Sequence, residues 1–226
     1  MRQLAEDLWV VERPLRFLGL SIGTRMTVVR LRDGSLWLCS PVALDDDLRD
    51  ALLRLGPPRH AVAPNRFHHL FIGEYRGAFP QLQLHAAPGL PEKRHDLSFD
   101  AVLSDAPPPE WAEQLDQALL EGLPALNEFV FCHRASRTLI ACDLAFNLGP
   151  EAPLSTRAAF TLIGGYGRLR PSLVERVLVR DRERARASLA RILAWSFDRV
   201  VVAHGTVLER GGPEALREGY RWLLEP

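Results

Sequence analysis

Asp143 sits where a carboxylate can do chemistry. It lies at the C-terminal end of the apolar strand pattern Thr138-Leu-Ile-Ala-Cys-Asp-Leu-Ala-Phe-Asn147. Side chains at strand ends in layered α/β folds are held rigidly while still meeting solvent. Two other strand-end patterns supply imidazoles, Ala63-Pro-Asn-Arg-Phe-His-His-Leu70 and Val200-Val-Val-Ala-His-Gly205. One acid and two imidazoles are a donor set for a metal ion or for proton transfer. Asp143 and His204 are the candidates for catalysis, and some combination of His68 or His69 with Asp143 and His204 is the candidate set of metal ligands.

Each of these residues also has an ordinary structural role to weigh against the chemical one. Asp143 can cap the turn after its strand, His204 can be a core histidine, and Asn65 can cap a helical turn. Asp is depleted in strand interiors and costly to bury unpaired, which favours a site role for Asp143. His68 and His69 are adjacent, so they point about 100° apart on a helix and to opposite faces on a strand. At most one of them reaches a given ion, and the spacing leaves both open. Asn65, one helical turn before His68, supports the site from behind. Glu128 and His133 flank the apolar run Phe129-Val-Phe-Cys132 and alternate onto different faces, so they do not meet and read as supporting polar contacts. Hydrolysis through Ser40 with His204 is disfavoured, because Ser40 precedes Pro41 and has no nucleophile-elbow pattern.

The elements that must position these groups follow in order. Leu8-Trp-Val-Val-Glu12 and Met26-Thr-Val-Val-Arg-Leu31 are strands, and Asp33-Gly34 turns the second into Ser35-Leu-Trp-Leu-Cys39. Asp45-Asp-Asp47 caps a helix that runs to Leu55 and stops at Gly56-Pro-Pro58. His60 to Ala63 is a strand, Leu70 to Phe79 a helix ended by Pro80, and Gln81 to His85 a half-exposed strand. Pro91 to Pro109 is loop, and Trp111 to Leu120 begins helically. Asn127 to His133 and Arg137 to Cys142 form a second hairpin. The chain closes with a helix from Arg182 to Trp195, a strand from Phe197 to Ala203 and a helix from Pro213 to Leu224. Glu74, His85 and His95 read as surface residues, and Gly164-Gly-Tyr-Gly167 as a flexible loop beside a site.

Composition narrows the classes. The 226 residues are 47% hydrophobic and 25% charged, so residues 1–226 are expected to form one globular domain. Positive and negative side chains balance at 28 each, which disfavours nucleic acid and anionic membrane as partners and leaves a small molecule. Cys39, Cys132 and Cys142 show no paired spacing, no signal peptide opens the chain, and no run reaches membrane-spanning length, so a cytoplasmic protein is expected. Oligomeric state is not encoded legibly.

With hairpins opening each half and helices between, this order resembles the metallo-β-lactamase superfamily, and specifically an uncharacterised branch with the same Asn-x-x-His-His segment. The resemblance implies an α/β fold, an αββα sandwich of two mixed β-sheets flanked by helices. The Ser136 to Phe146 segment is similar to the strand that ends in the family's metal-bridging aspartate, which gives that role to Asp143. Val200-Val-Val-Ala-His-Gly205 is similar to the last histidine motif, which gives a ligand role to His204. Asn65-Arg-Phe-His-His-Leu70 stands where the family carries His-x-His-x-Asp-His, with Phe67 and Leu70 at histidine positions and His69 at the aspartate, a match that favours His69 over His68 as the ligand. The resemblance therefore implies a reduced ligand set. Either one zinc or iron ion serves a metal-dependent hydrolase of unassigned substrate, or the site holds no metal and the domain is a non-catalytic binding or scaffold protein.

Overall fold

In the computed structural model, which describes residues 1–225, the chain pairs with itself before any helix forms. Strands β1 (Arg2–Ala5), β2 (Leu8–Arg13), β5 (Thr24–Arg30) and β6 (Leu36–Cys39) make an antiparallel meander, with a small hairpin of β3 (Arg16–Phe17) and β4 (Leu20–Ser21) rising from it. The Asp33-Gly34 turn closes as its residue types demand. Gly34 takes φ +82°, and the backbone and hydroxyl of Ser35 both donate to Asp33 Oδ1, at 2.9 and 2.7 Å.

Helix α1 (Asp46–Leu55) then carries the chain across, capped by Asp45 Oδ1, which accepts from the Leu48 amide at 2.8 Å. After this crossover β7 (Pro58–Ala63) lies parallel to β6. Helix α2 (Ile72–Ala78) leads to β8 (Gln83–Ala86), and β9 (Ala101–Val102) completes the sheet, also in parallel. The result is a seven-stranded mixed sheet in the order β1-β2-β5-β6-β7-β8-β9.

The second half builds a four-stranded sheet, β10 (Leu115–Leu119), β11 (Phe129–His133), β12 (Thr138–Ile140) and β13 (Arg199–Val201). Its pairs are antiparallel except for the last, in which β12 and β13 run parallel. Helices α3 (Leu154–Ile163), α4 (Leu173–Leu178) and α5 (Arg182–Leu193) precede β13, and α6 (Gly212–Gly219) and α7 (Arg221–Leu224) follow it.

Period-two alternation decides the layers. Val29, Trp37 and Val62 face inward against Phe129, Phe131 and Ile140 of the other sheet. Their neighbours Val28, Leu38 and Ala61 turn outward onto Leu52 of α1 and Ile72 and Tyr75 of α2. On the other side, Val130, Cys132 and Leu139 pack against Leu189 and Ile192 of α5 and Leu216 of α6. Two sheets face to face with helices on both outer faces form the αββα sandwich.

Three local expectations give way to tertiary context. Trp111 to Leu120 does not continue as a helix, because Leu115 to Leu119 pairs antiparallel with Phe129 to His133 across its whole length. Gln81 to Leu84 alternates between exposed and buried as expected, but the alternation stops at His85, which is buried where β9 pairs with β8. His85 accordingly leaves the surface and packs its ring 5.0 Å from that of Trp111. The strand before Asp143 ends at Ile140, so the acid lies in the turn that follows.

Candidate metal centre

Strands β6, β7, β12 and β13 all end at one edge of the sandwich. The residues just past their C-terminal ends, Ser40, Asn65 to His68, Asp143 and His204, meet there. This convergence at the carboxyl ends of parallel strands is where open α/β sheets place ligands.

Asn65 organises the first arm and is fully buried. Its Oδ1 accepts from the amides of Phe67 and His68, both at 2.8 Å, which winds the chain into a tight turn. Its Nδ2 donates to Asp143 Oδ2 at 2.8 Å and to Glu128 Oε2 at 3.0 Å. One amide side chain thus sets the backbone that carries His68 and ties it to the acid. The turn aims His68 at Asp143, with Nε2 3.4 Å from Oδ2, while its Nδ1 meets Ser40 Oγ at 2.8 Å.

Glu128 organises the second arm. It has no exposure, and its two oxygens accept from the amides of Cys142, Asp143 and Leu144 at 2.7, 2.8 and 3.2 Å. A carboxylate inside the turn fixes the backbone of Asp143 much as a capping residue fixes a helix end.

The third arm is His204. Its Nδ1 lies 2.7 Å from the Gly23 carbonyl, and its Nε2 lies 3.5 Å from Asp143 Oδ1. Arg25, a buried guanidinium paired with Glu12, donates to the carbonyls of Val202 and Gly205 on either side. Phe146 stacks on the ring, 5.3 Å between centroids and 11° between planes. Gly205 has φ +94°, and a Cβ there would come within 2.1 Å of the Asn147 carbonyl oxygen, so only glycine lets the loop close behind the histidine.

Electrostatics follow from this geometry. Burial works to raise the pKa of Asp143, but the charge of His68 and the close approach of the His68 and His204 rings hold it well below the usual carboxylate range. Burial works to lower His68, and the net effect of its neighbours is to raise it well above an ordinary imidazole. Cys142 is pushed up by burial and stays a thiol, so Asp143 is the partner that charges His68. Glu128 is pushed up to about 7 by burial and by the adjacent Asp143 charge.

The donor set fits a cation. A carbonyl can only accept, so the proton of neutral His204 is on Nδ1 and Nε2 presents a lone pair to the Asp143 carboxylate. Two acceptors facing each other at 3.5 Å need a proton or a metal ion between them. One ligand atom from each of His68, Asp143 and His204 can be chosen so that all lie within 4.8 Å of one another. A tetrahedral zinc site with bonds of about 2.0–2.1 Å sets its donors roughly 3.3 Å apart. His68 comes near that spacing at Asp143 Oδ2, 3.4 Å, and His204 at Oδ1, 3.5 Å, so the carboxylate presents a different oxygen to each ring. These three residues form a group that could hold a metal ion.

Of the other residues singled out in the sequence, Asn65 and Glu128 join the cluster as supports. His69 is not among the three: its Nδ1 accepts from Arg94 Nη1 at 2.7 Å instead, and burial with the Lys93 and Arg94 charges pushes its pKa down to about 4, which keeps the ring neutral. His133 lies at the far end of β11, bonded to Ser136 Oγ at 2.8 Å. The Gly164-Gly-Tyr-Gly167 loop does lie beside the site, where Gly165 abuts Phe146. Sequence reasoning passed over Ser40 as a partner of His68, and its φ of +57°, uncommon for a non-glycine residue, is visible only in the fold. A cavity of about 540 Å³ opens over the three residues, walled by the β3–β4 hairpin, α3 and α4.

Known structures place this architecture. A metallo-beta-lactamase from Pontibacter korlensis superposes with a TM-score of 0.67 at 12% identity, over 99% of this chain and 98% of that one. A metallo beta lactamase from Hirschia baltica gives 0.62 at 14% identity, over 99% and 96%. A flavo di-iron protein from Thermotoga maritima gives 0.64 at 13% identity, over 97% of this chain and 60% of the other. At such identities the likeness shows the fold, which is the metallo-β-lactamase fold. No curated protein matches the chain. Residues 5–162 match the model of the family described as Domain of unknown function (DUF4336), and the chain, built on the metallo-β-lactamase sandwich, belongs to that family.

Proposed function

We propose that the protein is a hydrolase dependent on a single metal ion, zinc or iron, held by His68, Asp143 and His204. The observation that carries this reading is the convergence of His68, Asp143 and His204, one donor atom of each within 4.8 Å of the others, with the Gly23 carbonyl 2.7 Å from His204 Nδ1 turning Nε2 toward Asp143. A bound ion of this kind supplies a Lewis acid and brings the pKa of a coordinated water toward neutrality.

The chain's own residues do the rest. Asp143 is a carboxylate across the working pH range and too weak a base to remove a proton from water, so its role is to bind. Asn65 and Glu128 hold it in place, and Ser40 and the Gly23 carbonyl orient the two rings from their Nδ1 sides. His204 is shielded by Phe146 on one face. Three protein ligands leave a position for water, and the cavity above leaves room for a substrate bond.

One observation favours a second reading, a binding protein without metal. Asp143 is already engaged by Asn65, His68 and His204, so the cluster can satisfy itself with protons alone.

Elemental analysis of protein grown with added zinc or iron separates the two. We expect about one equivalent in the parent and less than about a tenth in His68→Ala, His204→Ala and Asp143→Asn. A parent that stays below about a tenth of an equivalent after reconstitution overturns the metal reading and leaves the binding protein.

A further inference from the structure

We infer that the cavity over His68, Asp143 and His204 is a binding site for a linear aliphatic chain, which makes the substrate class an acyl compound. The volume of about 540 Å³ is that of a pocket for an organic ligand, well beyond the needs of water or an inorganic anion. Its walls come from separate segments and are aliphatic or aromatic where they meet the space, with Leu18 and Leu20 from the hairpin, Phe160 and Ile163 from α3, and Val174 and Leu178 from α4. The ionisable groups in the lining are the His68, Asp143 and His204 cluster with His69, Lys93 and Glu175. A sugar, nucleotide or peptide would leave most of its polar groups unpaired against such walls.

Two features of the walls have no folding explanation. Helix α4 buries none of its residues, yet it turns Val174, 53% exposed, and Leu178 to the cavity. The tip of the β3–β4 hairpin is Leu18-Gly19, and Leu18 is held at φ +48° with its side chain 87% exposed. Asn or Gly takes a left-handed turn position at lower cost, so an apolar side chain there is accounted for by what it touches when a ligand is bound.

The reaction, though not the chain site, rests on the hydrolytic reading above. Water oxygen would add to the carbonyl carbon of an ester, thioester or amide at the three-residue cluster. The bond from that carbon to the heteroatom would break, and a proton would pass to the leaving heteroatom, releasing the carboxylic acid.

The test is calorimetric binding of butyl, octyl and dodecyl carboxylic acids to the protein, both metal-free and reconstituted with zinc. Affinity should tighten about four-fold per methylene until the cavity fills. The exposed wall variants Val174→Asp and Leu18→Asp should bind the dodecyl acid at least ten-fold more weakly at unchanged metal content. Affinity that is flat along the series, or a Val174→Asp variant that binds the dodecyl acid as the parent does, overturns the inference. Chain-length-dependent binding without turnover of the matching p-nitrophenyl esters supports the chain site and retires the hydrolytic reading alone.

Discussion

Asn65 donates to Asp143 across 2.8 Å with the same amide group that donates to Glu128, so a single NH₂ joins two buried carboxylates. Its oxygen meanwhile shapes the turn that carries His68. Asn65→Ala therefore breaks the support of His68 and Asp143 together. It should destabilise the fold by about 1–3 kcal/mol in urea unfolding and weaken metal binding by about 10- to 100-fold in competition with a chelator.

Glu128→Gln tests whether charge or hydrogen bonding governs the second arm. Removing the charge relieves repulsion with Asp143, but it also puts an amide NH₂ against backbone donors that now face an oxygen on either side. Losing those charge-assisted bonds outweighs the relief, so the variant should be less stable by about 2 kcal/mol or more in denaturant titration. A variant as stable as the parent would show that repulsion governs.

Gly205→Ala forces a Cβ to within 2.1 Å of the Asn147 carbonyl oxygen, at a φ of +94° that side chains rarely adopt. The loop must open, and His204 moves with it. A loss of about 2–3 kcal/mol in thermal or urea unfolding is expected, together with metal content well below that of the parent.

Acid should weaken the protein through a second pair of histidines. His60 Nδ1 lies 3.2 Å from His85 Nε2 inside the fold, and burial lowers both, His85 to about 4. Lysine and arginine reinforce this little, since the groups facing His60 include Asp33, Glu110 and Arg59, and those facing His85 are His60, Asp100 and Glu110. Unfolded, both rings take up protons near pH 6.5, and folded they do so at lower pH, His85 only near 4, so their contribution to stability is full above about 6.5 and falls as pH drops below it. The loss attributable to His85 is on the order of 2 kcal/mol by pH 4. His85→Leu, which also removes an Nδ1 that has no partner among the described residues, should flatten the dependence of urea midpoints on pH between 6.5 and 4.

Much of this architecture is legible in the residues. The Asp33-Gly34 turn, the Asp45 cap, the second hairpin and the placement of Asp143 and His204 past strand ends all follow from local chemistry, and the structure has each of them. What local chemistry cannot settle is pairing at a distance. Strand β10 looks helical until Phe129 to His133 lies alongside it, and His85 looks exposed until Trp111 covers it. The choice between His68 and His69 turns on the Asn65 oxygen bonding two amides ahead of it, a turn geometry that adjacency in the sequence leaves open. Ser40 and the Gly23 carbonyl reach the site only because the two sheets pack face to face.

His68 hangs from the larger sheet, while Asp143 and His204 hang from the smaller one. Whatever occupies the space between them works as a rivet through both halves of the sandwich. Occupancy and resistance to unfolding are then two readings of one equilibrium, and loosening either sheet loosens the grip on the guest.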